Sequence, residues 1–193
     1  KQKNRTPNAG EMILAGGDPG GSCEPYPPAD ATRLRAWNYD MIGHAEQCVL
    51  RWCELAHKEI KDIPTVGTPC IDDHNLRPED LVEQGALSHV CARIVMKCLY
   101  LARIGRPDIL YAINVLARCV TKWTRACDKR LERLIAYIHK TKNYVQHCFV
   151  GDDAENCKIG LFCDASFAAD LTDSKSTTGA LLCVFGPSTF VPI

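Results

Sequence analysis

Four stretches of the chain repeat apolar residues at the three- and four-residue spacing of a helix. The first runs from Tyr39 to Asp62 and sets Ile42, Ala45, Cys48, Val49, Trp52, Cys53 and Ala56 on one side. It is predicted to close before Pro64. The second runs from near Glu83 to Arg103, with Leu87, Val90, Cys91, Ile94, Val95, Cys98 and Leu101 inward, and Gly105 follows as a carboxyl-terminal cap. Pro107 and Asp108 suit the opening turn of a third helix, which continues to about Val120 through Ile109, Ala112, Ile113 and Leu116. Thr124 is placed to cap a fourth, reaching His139 or Thr141 with Leu131, Leu134, Ile135 and Ile138 inward.

Beyond that point the period changes. Tyr144 to Val150 reads as a short strand. Cys157 to Cys163 (CKIGLFC) alternates as a half-buried strand should, and it delivers one carboxylate, Asp164, at its carboxyl end. Two more apolar runs, Ala180 to Phe185 and Thr189 to Ile193, flank the turn residues Gly186-Pro187-Ser188. Helices followed by strands predict an α+β fold.

Residues 1 to 36 show no such pattern. Glycine pairs around Asp18-Pro19 and the run Pro25-Tyr26-Pro27-Pro28 predict a disordered arm or linker. The fragment GGDPGG has the glycines of a phosphate loop but neither the Lys-Ser/Thr ending nor a following helix. Residues 64 to 80 form a connector rich in proline, aspartate and asparagine. Its Asp72-Asp73 pair lacks the flanking strands that a polymerase hairpin would need, and it reads as a loop.

The 193 residues fit one or two small domains, and 46% hydrophobic residues can bury a core. No apolar run nears the roughly 18 residues of a membrane span. The amino-terminal stretch has no apolar segment of the signal-peptide kind. The chain opens on Lys1 and closes on an apolar strand, so both ends read as cut. Twelve cysteines suggest a disulfide or zinc framework, but most lie within apolar periodic segments, where a free thiol packs as a small hydrophobe. The nearest zinc-like spacing is Cys53-x3-His57 with Cys70-x3-His74, which matches no common zinc module. Reduced cysteines imply an intracellular protein.

Net charge is zero, but it is distributed unevenly. Between Arg93 and Lys142 twelve basic residues face three acidic ones, a local charge of plus nine. Arg125, Lys129 and Arg133 recur every four residues on one helical face, and Lys122 precedes them. With Arg93 and Lys97 they make a set of cations that could track a phosphate backbone. A solvated face is the plainer reading of the same pattern.

The run Gly105 to Arg118 (GRPDILYAINVLAR) resembles the R-P-D-I-x-Y-A-V-x-x-L-S-R signature of copia-type retrotransposon Pol polyproteins. Lys129 to Tyr144 (KRLERLIAYIHKTKNY) is similar to that family's K-R-x-L-R-Y-L-K-G-T-x-D-Y segment. FCDASFAAD, Phe162 to Asp170, is similar to Y-S-D-A-D-W-A-G-D, and Asp173 with Lys175 to Gly179 continues it as D-x-K-S-T-S-G. Thr68-Pro69 matches a Thr-Pro that precedes these motifs. The resemblance covers about residues 39 to 193, with the motifs in order. It departs at Ser166, Phe167 and Ala169, where the family has aspartate, tryptophan and glycine, as in a divergent or decaying copy.

The resemblance implies the end of a reverse transcriptase region over 37–80, a thumb-like helical bundle over 81–143, and the first strands of a truncated antiparallel ribonuclease-H-like sheet over 144–193. It implies RNA-directed DNA synthesis and hydrolysis of RNA in RNA–DNA hybrids by the parent protein. Asp164 falls where the family places its first metal-bridging aspartate. Two-metal cleavage needs several carboxylates around Mg²⁺, so Asp164 alone implies a chain that binds a template–primer duplex without cutting it. The implied partners are that duplex and the rest of the polyprotein, with no membrane. The implied compartment is the cytoplasm, in a virus-like particle, or the nucleus. The alternative is a non-catalytic nucleic-acid-binding or capsid-associated helical module, in which Asp164 would face solvent on an ordinary sheet.

Overall fold

The computed structural model describes residues 34–166 and 176–193. The arm therefore lies outside the described residues except for Leu34 to Ala36, and so do Asp170 and Asp173. The fold is α+β. In chain order the elements are β1 (Arg35–Tyr39), α1 (Ile42–Ala56), α2 (Pro78–Val82), α3 (Cys91–Ile104), α4 (Leu110–Arg118), α5 (Arg125–Lys140), β2 (Gln146–Val150), β3 (Lys158–Ser166), β4 (Thr177–Gly186) and β5 (Thr189–Pro192). The strands form one sheet in the order β1-β2-β5-β4-β3, and the pairs β2–β5, β5–β4 and β4–β3 are antiparallel. The described residues divide into two compact units, 37–147 and a second made of 34–36 with the described part of 148–193, so the boundaries fall within β1 and β2.

In the helical unit the predicted faces pack as one apolar cluster. Cys48, Val49 and Trp52 of α1 join Ile94, Val95, Cys98 and Leu101 of α3, Ile113 and Leu116 of α4, and Leu131, Leu134, Ile135 and Ile138 of α5. Helix α1 opens where the Asp40 carboxylate accepts the Ile42 amide at 3.0 Å. It ends at Ala56, short of the predicted Asp62, because His57 turns left-handed (φ 54°) and the Lys58 amide bonds back to Cys53. Helix α2 is absent from the sequence expectation, although Pro78 stands at its first position and Asp80 accepts the Arg77 amide at 3.2 Å.

The second predicted helix begins eight residues late, at Cys91 rather than near Glu83. The missing turn is a strap held by α5. Gly85 donates its amide to the Trp123 carbonyl at 3.1 Å, and the Asp128 carboxylate accepts the Ala86 amide at 2.6 Å. A Cβ at Gly85 would lie 2.6 Å from the Thr124 carbonyl oxygen, so only glycine allows this approach.

In the strand unit, β3 and β4 pair from Lys158↔Phe185 to Ser166↔Thr177. Asp164 is therefore inside β3, opposite Gly179, and not just beyond its end. The predicted turn at Gly186-Pro187-Ser188 is fastened by Asp152, which accepts the Ser188 amide at 2.7 Å. Thr189, buried beneath it, accepts the Gly151 and Asp152 amides at 3.2 and 3.1 Å.

Candidate nucleic-acid interface

Helix α5 carries the predicted basic face, and most of that face is already engaged inside the helical unit. The connector and α2 supply the acids. Lys129 bonds to Asp80, and Arg125 to Glu83. Arg130 donates to Asp73 at 2.7 Å. Arg133 donates to the Thr68 carbonyl and hydroxyl at 3.0 and 2.9 Å. Asp80 has no exposed surface, yet it is covered by the long side chains of Lys129 and Arg125 and not by a deep core. The hydrogen bond from Lys129 is the largest influence holding the Asp80 carboxyl below the ordinary range, and the Arg77 amide adds to it against the cost of burial. Its Oδ1 has no hydrogen-bond partner and lies 4.0 Å from Arg125. Arg125, Lys129 and Arg133 thus clasp the connector, a partnership that charge spacing along α5 does not reveal.

The other predicted cations are placed differently. Arg93 and Lys122 are exposed and have no acidic partner among the described residues. Lys97 is half-buried and donates to the Gln47 amide oxygen at 3.0 Å, a neutral partner that leaves its charge uncompensated. Arg103 and Arg118 are exposed as well.

The two family-like segments meet at Arg106. This side chain is 2% exposed, and its guanidinium forks onto Asp108 with two bonds of 2.8 Å. It also donates to the Thr141 carbonyl at 2.9 Å and the Thr141 hydroxyl at 2.6 Å. The rings of Tyr137 and Tyr144 lie 5.8 and 5.2 Å from its central carbon. Arg-Pro-Asp in one motif is therefore the packing partner of Tyr, Thr and Tyr in the other. These residues fix the junction of α3, α4 and the end of α5, with the guanidinium at its buried centre.

Asp164 is exposed on β3, the terminal strand in the sheet order. Among the described residues no three His, Cys, Asp or Glu side chains come together to hold a metal ion. Mg²⁺ demands an octahedral shell of several oxygens, and among the described residues Asp164 has no such set of carboxylates beside it. Cys53, His57, Cys70 and His74 are not brought together either. Asp72 accepts the His74 amide at 3.0 Å in a 3-10 turn, and Asp73 takes Arg130, so this pair is a turn and an ion-pair partner.

Sequence reading missed two thiol pairs. The thiols of Cys48 in α1 and Cys98 in α3 act on each other, which lowers the first and raises the second. Cys119, after α4, acts in the same way on Cys127 in the first turn of α5. That interaction, with the Thr124 hydroxyl 3.5 Å away, pulls the Cys127 thiol down to about 6 against its burial, while Cys119 is pushed up. No spacing signal along the chain marks either pair, because each joins separate elements. Among the described residues no helix is long and apolar enough to cross a membrane.

No family model matches the chain, and no solved structure does. Over 93 residues the chain is 28% identical to the "Uncharacterized mitochondrial protein AtMg00810" of Arabidopsis thaliana. The match covers 48% of this chain and 37% of that protein, so the chain spans little more than a third of the relative.

Proposed function

We propose that the chain is part of a copia-type retrotransposon Pol polyprotein whose helical unit holds a template–primer duplex by its phosphates. What supports the reading is the Arg106 cluster. Two segments chosen for family resemblance alone turn out to be the two halves of one buried polar junction. A shared structural ancestor requires such co-occurrence, whereas chance likeness of two separate segments does not. In this reading Arg93, Lys97 and Lys122 meet phosphate, because no acid among the described residues compensates their charges. Arg125, Lys129 and Arg133 keep the connector in place. Asp164 occupies the position of a ribonuclease H carboxylate, but the described residues around it do not make a Mg²⁺ site, and no cleavage step is assigned to them.

The test is binding of an RNA–DNA hybrid followed by anisotropy over a salt series. Each phosphate neutralised contributes roughly −0.9 to the slope of log K against log salt. Changing Arg93, Lys97 and Lys122 together to glutamine should flatten the slope by about two to three. The same change at Arg125, Lys129 and Arg133 should lower the melting temperature and move the slope less. No hybrid binding by the folded chain would sink the proposal.

One observation agrees with the alternative of a non-catalytic module: Asp164 faces solvent on an ordinary antiparallel sheet. A metal site must also be open to water, so exposure alone does not separate the two. The sequence encoded after Ile193 does. A Thr-Glu-Ala-Glu-like helix there favours the ribonuclease H lineage, and an unrelated sequence favours the module.

A further inference from the structure

Helix α3 presents a second kind of surface beside its cations. Tyr100 is 55% exposed, and its ring packs against His44 of α1 with centroids 5.1 Å apart, tilted by 55°. The His44 ring is itself pinned, with Nε2 3.1 Å from the Lys97 carbonyl oxygen. Lys97 is pinned in turn by Gln47 at 3.0 Å. The seam between α1 and α3 thus holds an exposed aromatic platform whose supports are already ordered. Arg93 and Arg103 flank it on the exposed side of α3, at seven residues before and three after Tyr100, with no acid partner among the described residues. The nearby acids of α1 are spent elsewhere, Glu46 on Lys142 and Glu54 on Arg51.

We infer that this seam binds single-stranded nucleic acid, with an unpaired base stacked on Tyr100 and the backbone phosphates on Arg93, Lys97 and Arg103. The inference rests on the nucleic-acid reading above: the cations of this face that meet duplex phosphates also hold an unpaired strand, to which Tyr100 adds a contact that a duplex does not make. Three features carry it. A base stacks on an exposed ring only when its face is free, which a duplex denies and a single strand offers. From Arg93 to Arg103 the helix rises about 15 Å at about 1.5 Å per residue. That is roughly four stacked nucleotides at about 3.4 Å each. An acidic peptide would satisfy the cations but leave the platform unused. The pinned His44 and Lys97 mean that little side-chain freedom is lost on binding.

The experiment uses the full chain with fluorescein-labelled (dT)12, a DNA duplex of the same length and poly-glutamate as competitor. Tyr100→Ala should weaken (dT)12 binding by about tenfold, the effect of losing one stacked base, and leave the duplex within about twofold. Tyr100→Phe keeps the ring and should bind as the parent does. Arg93→Gln with Arg103→Gln should flatten the single-strand salt slope by roughly 1.4, at about 0.7 per contact. Thermal melting of each variant checks that the fold is kept, which the exposure of Tyr100 favours. Binding of (dT)12 that ignores Tyr100→Ala overturns the inference, and so does displacement of (dT)12 by poly-glutamate at equal charge. If the duplex still binds in those cases, the wider reading stands. If neither nucleic acid binds, both fall.

Discussion

The helical unit and the strand unit spend their apolar residues in opposite ways. In residues 37–147 nearly every periodic apolar position is buried, from Ala45 in α1 to Ile138 in α5. In residues 148–193 the fully buried apolar side chains among the described residues are Cys148 and Cys183. Ile159, Leu161 and Phe162 of β3 and Leu181 and Leu182 of β4 are exposed. What holds these strands is the ladder itself, the ring pairs Phe162–Phe185 and Phe149–Phe190, and the fastened turn at Asp152. A sheet gains most of its stability when a second layer covers its apolar face. The described strands have that face but bury little of it, so their stability rests on pairing more than on a core.

The sharpest way to break this comparison is to delete the same side chain from both units. Leu134 is 0% exposed among the four helices of the core, and Leu161 is 62% exposed on β3. Leu134→Ala removes a fully packed side chain and should cost about 3 kcal/mol, including the cavity it leaves. Leu161→Ala should stay within about 0.5 kcal/mol, as a surface change does. Denaturant melts of the two variants give both numbers. Comparable losses would mean that β3 has a packed partner after all.

The same contrast explains what could be read from sequence. Helical faces are legible because burial repeats every three to four residues within one element. All four predicted helices exist, and the strands around Cys148, Leu161, Cys183 and Thr189 lie where alternation places them. The errors fall where distant groups decide. Residues 83–90 have helical spacing, but Asp128 and Trp123 capture the amides of Gly85, Ala86 and Leu87. The strand bearing Asp164 extends beyond the alternating run that ends at Cys163, because its length follows from pairing with Thr177 and Gly179 across the ladder. The partners of the α5 cations are equally hidden from the local pattern, since the acid that engages Lys129 is 49 residues away. Counting charges along a helix does not count their partners. The unpaired cations of α3, with their irregular spacing, gave the weaker sequence signal.

A smaller effect sharpens the account of that clasp. The Lys129 hydrogen bond holds the folded Asp80 carboxyl below its ordinary value, and the unfolded chain returns it to about 3.9. A depressed carboxyl contributes stability that is fully present above the unfolded value and is lost as pH falls through the folded one. Asp80→Asn should therefore lower the melting temperature of the helical unit at neutral pH, and the gap to the parent should begin to narrow below about pH 4 and close as pH falls through the lower folded value. A gap that persists unchanged at pH 2 would assign the role of Asp80 to shape and neutral hydrogen bonding instead of charge.

The smallest expected effect concerns Asp164. It is exposed, it lies in mid-ladder opposite Gly179, and no metal-holding cluster surrounds it among the described residues. Asparagine keeps its shape and removes its charge, so Asp164→Asn should change stability by less than about 0.5 kcal/mol. The informative measurement is the same comparison with and without millimolar Mg²⁺. A lone exposed carboxylate binds the ion too weakly to matter, because Mg²⁺ keeps its water unless several oxygens replace it. Parent and variant should therefore melt together at every magnesium concentration. If added Mg²⁺ raises the melting temperature of the parent and not of Asp164→Asn, other carboxylates of the chain reach this site. By linkage, that rise would report the affinity of a metal centre built around β3.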